Sequence, residues 1–264
     1  SDSTTLYDAT QAPHLIRKSI TEALGIPQAK LRVIAPDVGG GFGTKGKHYP
    51  EETIVTWAAR RLGKPVRWVS TRAEAFMSDT QARDHFTTAR LGLDANGKFI
   101  GLRVNTLANV GAYISTFGAS IPGAIYSALL AGVYQTPAVH VEVTTVLTNT
   151  VPTDAYRGAG RPEACFVLER LADEAARQIG IDRAEIRRRN LIPVTAMPYT
   201  TPIGPTYDSG DFPNIMEKLL AGADWDGFPA RRAESEARGK RRGIGLAMYV
   251  ETSGVAPSKL AGML

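Results

Sequence analysis

Asp37-Val38-Gly39-Gly40-Gly41-Phe42-Gly43-Thr44-Lys45-Gly46-Lys47 puts five glycines into eleven residues. Glycine lets the backbone take φ > 0 and lets a ligand come close to the N–H groups, at a cost in chain entropy that an ordinary turn does not require. The flanks read as a strand (Leu31 to Ala35) and a helix (Thr53 to Leu62, ended by Gly63 and Pro65). A glycine loop between strand and helix suits an anion cradle; a tight turn with no ligand is the plainer alternative. Two known fingerprints nearly fit. Gly41-x-Gly43-x-x-Gly46 has the dinucleotide spacing, but Lys47-His48-Tyr49-Pro50 intervenes before the helix. The next strand, Val66 to Ser70, is followed by Thr71-Arg72 rather than an acid. Gly41-x-x-x-x-Gly46-Lys47 has the phosphate-loop spacing, but His48 stands where Ser or Thr must hold Mg²⁺.

A second loop, Asp154-Ala155-Tyr156-Arg157-Gly158-Ala159-Gly160-Arg161-Pro162-Glu163, joins a strand to a helix. Two arginines around glycines at a helix start suit an anionic cofactor, because guanidinium forks and helix-terminal N–H groups both donate. Pro162 fits the first turn of that helix, Gly180 closes it, and Phe166, Leu168, Leu171, Ala175 and Ile179 are its expected apolar face.

Working outward, Leu15, Ile16, Ile20 and Leu24 give a helix closed by Gly25 and Pro27. Phe86 to Asp94 and Phe99 to Leu107 alternate around Asp94-Ala95-Asn96-Gly97, a hairpin signal. Val139 to Leu147 alternates again, and Gly111 to Tyr134 reads as a buried irregular segment. Further helices are expected at Arg183 to Leu191, from the cap Asp211 to Gly222, and over Ala230 to Gly239. Met197 to Asp211 reads as a connector and Gly243 to Val250 as a strand. Helices and strands alternate with a hairpin among them, so the fold class is α+β with a mixed β-sheet and packed helices.

The 264 residues are 43% hydrophobic and 22% charged, ordinary for a globular chain, and suit one large domain or two small ones. No run of 18 apolar residues suggests a membrane span, and Ser1 to Thr5 lacks the features of a signal peptide. The net charge of +5 resides partly in Arg187-Arg188-Arg189, Arg231-Arg232 and Lys240-Arg241-Arg242. None is interleaved with aromatics as a nucleic-acid surface would be, so these read as solvated helix ends or loops. One cysteine, Cys165, excludes an internal disulfide and cannot house an iron–sulfur cluster; it reads as buried and inert. His14, His48, His85 and His140 are scattered and read as structural. Glu251 to Leu264 follows the last apolar strand without a closing helix, which reads as a truncation.

Taken together, Thr10-Gln11-Ala12-Pro13-His14, Val38-Gly39-Gly40-Gly41-Phe42-Gly43 and Ala155-Tyr156-Arg157-Gly158 resemble, in order, the molybdopterin-binding region of the xanthine oxidase family. The large subunit of aerobic carbon monoxide dehydrogenase and its relatives is especially similar. The resemblance implies that residues 1–264 form the first molybdopterin-binding lobe of a longer large subunit. It implies that Gly40, Gly41, Phe42 and Gly43 pack on the cofactor, with Ala155, Tyr156, Arg157, Gly158 and Ala159 lining the other side of a metal held by the pterin dithiolene. It further implies a cytosine dinucleotide form of the cofactor, an iron–sulfur small subunit with 2Fe–2S clusters, an FAD medium subunit, a dimer of heterotrimers, a cytoplasmic location, and no nucleic-acid or membrane partner.

Departures narrow the chemistry. The cysteine that holds copper in true carbon monoxide dehydrogenases is Gly158 here. The purine hydroxylases' glutamate position is Gly46, their second-loop phenylalanine is Ala159, and their arginine falls in an apolar stretch around Ile125. This argues against carbon monoxide and xanthine and for an aldehyde or N-heterocycle, hydroxylated with water as oxygen donor. The family's general-base glutamate is expected beyond Leu264. A Cβ on Gly43 is expected to enter the space of the metal's ligands. The competing readings are a phosphate- or nucleotide-binding domain that uses the glycine loop alone and a basic interaction protein.

Overall fold

The computed structural model describes residues 3–251. The expected truncation at Glu251 to Leu264 therefore falls almost wholly outside the described residues. The chain divides into two compact units. The first comprises residues 1–85, 107–123 and 144–159, and the second the remainder.

In the first unit, β1 (Thr4–Tyr7) pairs in parallel with β2 (Leu31–Ile34), Leu6 opposite Val33. α1 (Pro13–Leu24) lies between them in sequence. Its Ile16 and Ile20 are fully buried with Leu31, and Gly25 ends it at φ 64°. α2 (Pro50–Leu62) starts earlier than the apolar pattern indicates, because Pro50 takes the first turn and the Glu52 carboxylate accepts the Tyr49 N–H at 3.1 Å. Val66 to Ser70, expected as a strand, is in no ladder among the described residues, and Trp68 and Val69 are exposed. Directly after it comes α3 (Arg72–Ser78), unanticipated although Thr71 and Glu74 form a capping box in its first turn.

β3 (His85–Leu93), β4 (Phe99–Gly111) and β5 (Val139–Leu147) form a three-stranded sheet in that order. The hairpin turn is as expected: Asp94 Oδ1 accepts the N–H groups of Asn96 and Lys98, both at 2.8 Å, and Gly97 takes φ 77°. The irregular Gly111–Tyr134 region includes a π-helical turn, Ile121–Tyr126, and buries Tyr126, Leu130, Val133 and Tyr134.

The second unit is built on α4 (Arg161–Ile179) and α5 (Arg183–Asn190), the latter capped by Asp182. α4 buries small residues, Ala164, Ala172, Ala175 and Ala176, so its neighbours approach closely; Phe166, expected on that face, is 68% exposed, and Ile179 is exposed too. β6 (Tyr199–Thr200) and β7 (Thr206–Tyr207) make a minimal antiparallel pair within the expected connector. α6 (Phe212–Gly222), capped by Asp211, and α7 (Phe228–Ala237) follow as expected.

Two expectations fail together in this unit. Arg187 was to be solvated, yet it is fully buried, 2.8 Å from Glu169 and 2.9 Å from Asp173. Gly243 to Val250 was to be a strand, yet it joins no sheet among the described residues. One arrangement explains both. The Arg187 guanidinium donates to the Leu246 carbonyl at 3.2 Å, and Glu169 Oε2 accepts the Met248 N–H at 2.9 Å. Leu246 and Met248 are buried. The alternating pattern was real, but buried ionic side chains satisfy this backbone in place of a neighbouring strand.

Candidate functional site

The first glycine loop and residues 154–159 of the second belong to the first unit, and they meet. Gly43 has φ 85°, and a Cβ built on it would lie 2.7 Å from the Ala155 carbonyl oxygen and 3.1 Å from Tyr156 Cα. Backbone thus packs directly on backbone, and only glycine fits. Its missing side chain makes room for the second loop. The Arg157 guanidinium carbon stands 6.0 Å from the Phe42 ring centroid, linking the loops a second time. Arg83 stacks on the Tyr156 ring at 5.3 Å and donates to the Arg157 carbonyl.

Among the described residues three non-glycine residues have positive φ, and two are here: Phe42 (φ 54°) and Ala159 (φ 40°). Each costs about 1–3 kcal/mol, a strain that persists only where its surroundings impose it. On the open side, Gly39 (φ 70°) has nothing within 4 Å of where a Cβ would stand, while a Cβ on Gly40 would collide with the Phe42 ring. Bare glycine backbone therefore borders open space, with the half-exposed rings of Phe42 and Tyr156 nearby.

The residues that hold this arrangement were not all singled out in the sequence. Gln11 lies beneath the glycine loop. Its Oε1 accepts the Gly43 N–H at 2.9 Å, and a Cβ on Gly41 would fall 2.1 Å from that same oxygen. The Gln11 N–H and Thr10 hydroxyl both donate to the Lys45 carbonyl at 2.9 Å, and the Lys45 ammonium donates to the Val38 carbonyl at 2.8 Å. Thr10-Gln11 was visible only as part of the resemblance. The signal for its role was the run of glycines itself, since Gly41 has no left-handed φ to explain it.

Lys47 is 2% exposed and lies 3.8 Å from the fully buried Asp154 carboxylate, again joining the first loop to the second. Burial pushes its ammonium below the usual lysine range, and the charges of Asp154 and Asp79 partly restore it. Its Nζ also donates to Thr80. Asp154 in turn accepts the N–H groups of Ala155 and Phe117. Nothing about a lysine beside a glycine loop signals burial, and the partner is distant in sequence.

The remaining candidates are placed elsewhere. Arg161 forms an ion pair with Glu251 at 2.5 Å. Cys165 is half-buried, less enclosed than expected, and burial raises its thiol pKa. The His48 Nε2 is 2.7 Å from the Thr53 hydroxyl, and burial lowers its pKa. Among the described residues no three His, Cys, Asp or Glu side chains form a metal-holding group, and no helix is long and apolar enough to cross a membrane. The donors at the loops are backbone amides and a guanidinium. Such a set suits an anionic, hydrogen-bonding cofactor rather than a metal bound directly by protein.

Residues 1–191 match the model of the molybdopterin cofactor-binding domain family. The chain belongs to that family. It is 38% identical over 269 residues to the carbon monoxide dehydrogenase large chain of Hydrogenophaga pseudoflava, covering 98% of this chain and 33% of that one. It is 34% identical over 252 residues to the nicotine 6-hydroxylase large subunit of Paenarthrobacter nicotinovorans, covering 94% and 30%. Among solved structures, quinoline 2-oxidoreductase from Pseudomonas putida 86 superposes with a TM-score of 0.83 at 36% identity, over 90% of this chain and 30% of that one. The α+β expectation and the resemblance both hold, and the nucleotide-binding alternative gains no support. The chain spans about a third of the curated relatives it matches. These relatives are a large chain and a large subunit, so they work with other subunits.

Proposed function

We propose that the two loops hold the pterin of a molybdenum hydroxylase, with Gly40, Gly41, Phe42 and Gly43 against one side and Ala155, Tyr156, Arg157, Gly158 and Ala159 against the other. What supports this is the close approach of Gly43 to Ala155 in a chain of this family, with bare Gly39 backbone beside open space. When bound, the cofactor supplies a two-electron oxidant that hydroxylates substrate with oxygen from water. This chain's own residues bind and orient it. Gln11, Lys47 and Asp154 fix the loop backbones, and the glycine amides and Arg157 supply hydrogen bonds and positive charge.

The substrate read from this site is a small N-heterocycle or aldehyde. Ala159 and Gly158 leave little side-chain bulk in the second loop, and two relatives are named for oxidising nicotine and quinoline, both N-heterocycles. The glutamate that serves as general base belongs to the remainder of the large subunit, of which residues 1–264 make the first molybdopterin-binding lobe. The cofactor is the cytosine dinucleotide form. Electrons leave through 2Fe–2S clusters on a small subunit to FAD on a medium subunit, in a cytoplasmic dimer of heterotrimers.

Metal analysis and pterin fluorescence of the full-length complex test the reading. Stoichiometric molybdenum and pterin are expected. Their absence under conditions that load other molybdoenzymes would overturn it.

A further inference from the structure

A cavity of about 1000 Å³ lies in the first unit beside β1. Its walls are the β1 edge, Val55 and Ala59 of α2, and the extended segment through Val66 and Trp68. Among the described residues β1 pairs along only one of its edges. The Asp8 N–H bonds the Ile34 carbonyl at 3.0 Å, and strand alternation gives Leu6 the same side. The N–H and C=O groups of Thr5 and Tyr7 therefore face away from β2. The far wall, Val66 to Ser70, has strand composition and joins no ladder among the described residues. A strand residue fills roughly 160 Å³ at ordinary sheet spacings, so the cavity holds about six.

Asp8, Glu51, Glu52 and Asp79 line the cavity, as do Arg60, Lys64 and Arg67. Asp8 Oδ2 is shielded from solvent with no hydrogen-bond partner among the described residues. Glu52 lines the same cavity, and neither carboxylate has a cation within ion-pair distance among those residues. Burial first, then the charge of Asp8, pushes the Glu52 carboxyl up to about 8.

We propose that this cavity receives a β-strand from the longer subunit, which pairs with the free edge of β1 and directs a lysine or arginine at Asp8 and Glu52. A two-stranded sheet is marginal alone, and an open edge pairs readily with a further strand. Two partly buried carboxylates, with no cation within ion-pair distance among the described residues, favour positive charge on the occupant. The relatives are about three times as long as this chain, so such a segment has a source within the same polypeptide.

Residue-resolved hydrogen exchange on the full-length subunit tests the pairing, and its readout needs no bound cofactor. Protection of Thr5 and Tyr7 on the order of 100-fold or more, matching Leu6 and Asp8, is expected. Protection of Leu6 and Asp8 alone, with Thr5 and Tyr7 exchanging freely, would mean water, a helix or a small molecule in the cavity and would overturn the proposal. Glu52→Gln in the same subunit tests the charge. With a cation opposite, the melting temperature falls. With none, the substitution removes a carboxylate that burial disfavours, and the melting temperature rises at and above pH 8, which would refute the cationic occupant.

Discussion

The loops around Phe42 and Arg157 and the buried cluster around Glu169 and Arg187 both hold irregular backbone in place, by opposite means. In the first unit, backbone lies on backbone at Gly43 and Ala155, two non-glycine residues take left-handed φ, and the rings of Phe42 and Tyr156 stay half-exposed. In the second, an arginine sealed from solvent carries two carboxylates and the Leu246 carbonyl, and Tyr134 donates to Glu169 at 2.5 Å. Burial with the Glu169 charge raises the Tyr134 hydroxyl pKa well above its ordinary value, keeping it a donor. The first arrangement leaves polar backbone available to a ligand; the second leaves nothing available. The contrast separates a surface with open backbone from a core whose polar groups are closed on one another.

The largest effect is expected in the closed cluster. Arg187→Ala leaves the buried Glu169 without its cation and takes one of two arginines from the partly exposed Asp173, and loses about 3–5 kcal/mol in chemical denaturation of the complete subunit. Lys47→Met is milder, about 2–3 kcal/mol, because Asp154 keeps two backbone donors. Adding Asp154→Asn should recover part of that loss, and additive losses in the double variant would show that the pair is not coupled. Gly43→Ala should cost about 1–3 kcal/mol from its φ alone, with a further loss from the forced separation of the loops, read as a drop in retained pterin. Gln11→Ala removes the acceptor of one N–H and should cost about 1 kcal/mol. Gln11→Glu, which keeps an acceptor there, should cost less, and equal losses for the two would argue against that hydrogen bond.

The parts of the molecule that rest on backbone geometry were legible in the sequence. The two glycine loops, the Asp94 to Gly97 turn and the helix ends at Gly25 and Gly180 each depend on a conformation that few residue types supply, so composition reveals them. What depended on a distant partner was not legible. Arg187 in a run of three arginines looks solvated until Glu169 and Asp173 are placed beside it. Val66 to Ser70 and Gly243 to Val250 both have strand patterns, but pairing needs a neighbour that the pattern does not name. Phe166 fitted the spacing of an apolar face whose actual contacts are made by alanines. Gln11 and Lys47 are ordinary polar residues locally, and only the meeting of the loops gives them their roles. α3 is the exception, since Thr71 and Glu74 announce its start and a local reading suffices.

Molybdenum and pterin content of the full-length Gly43→Val subunit, beside its circular dichroism, tests most directly whether the paired loops hold the cofactor. A folded subunit with cofactor near background is expected, because a branched side chain at Gly43 cannot coexist with the Ala155 carbonyl. A folded variant that retains the wild-type complement of molybdenum and pterin would contradict it.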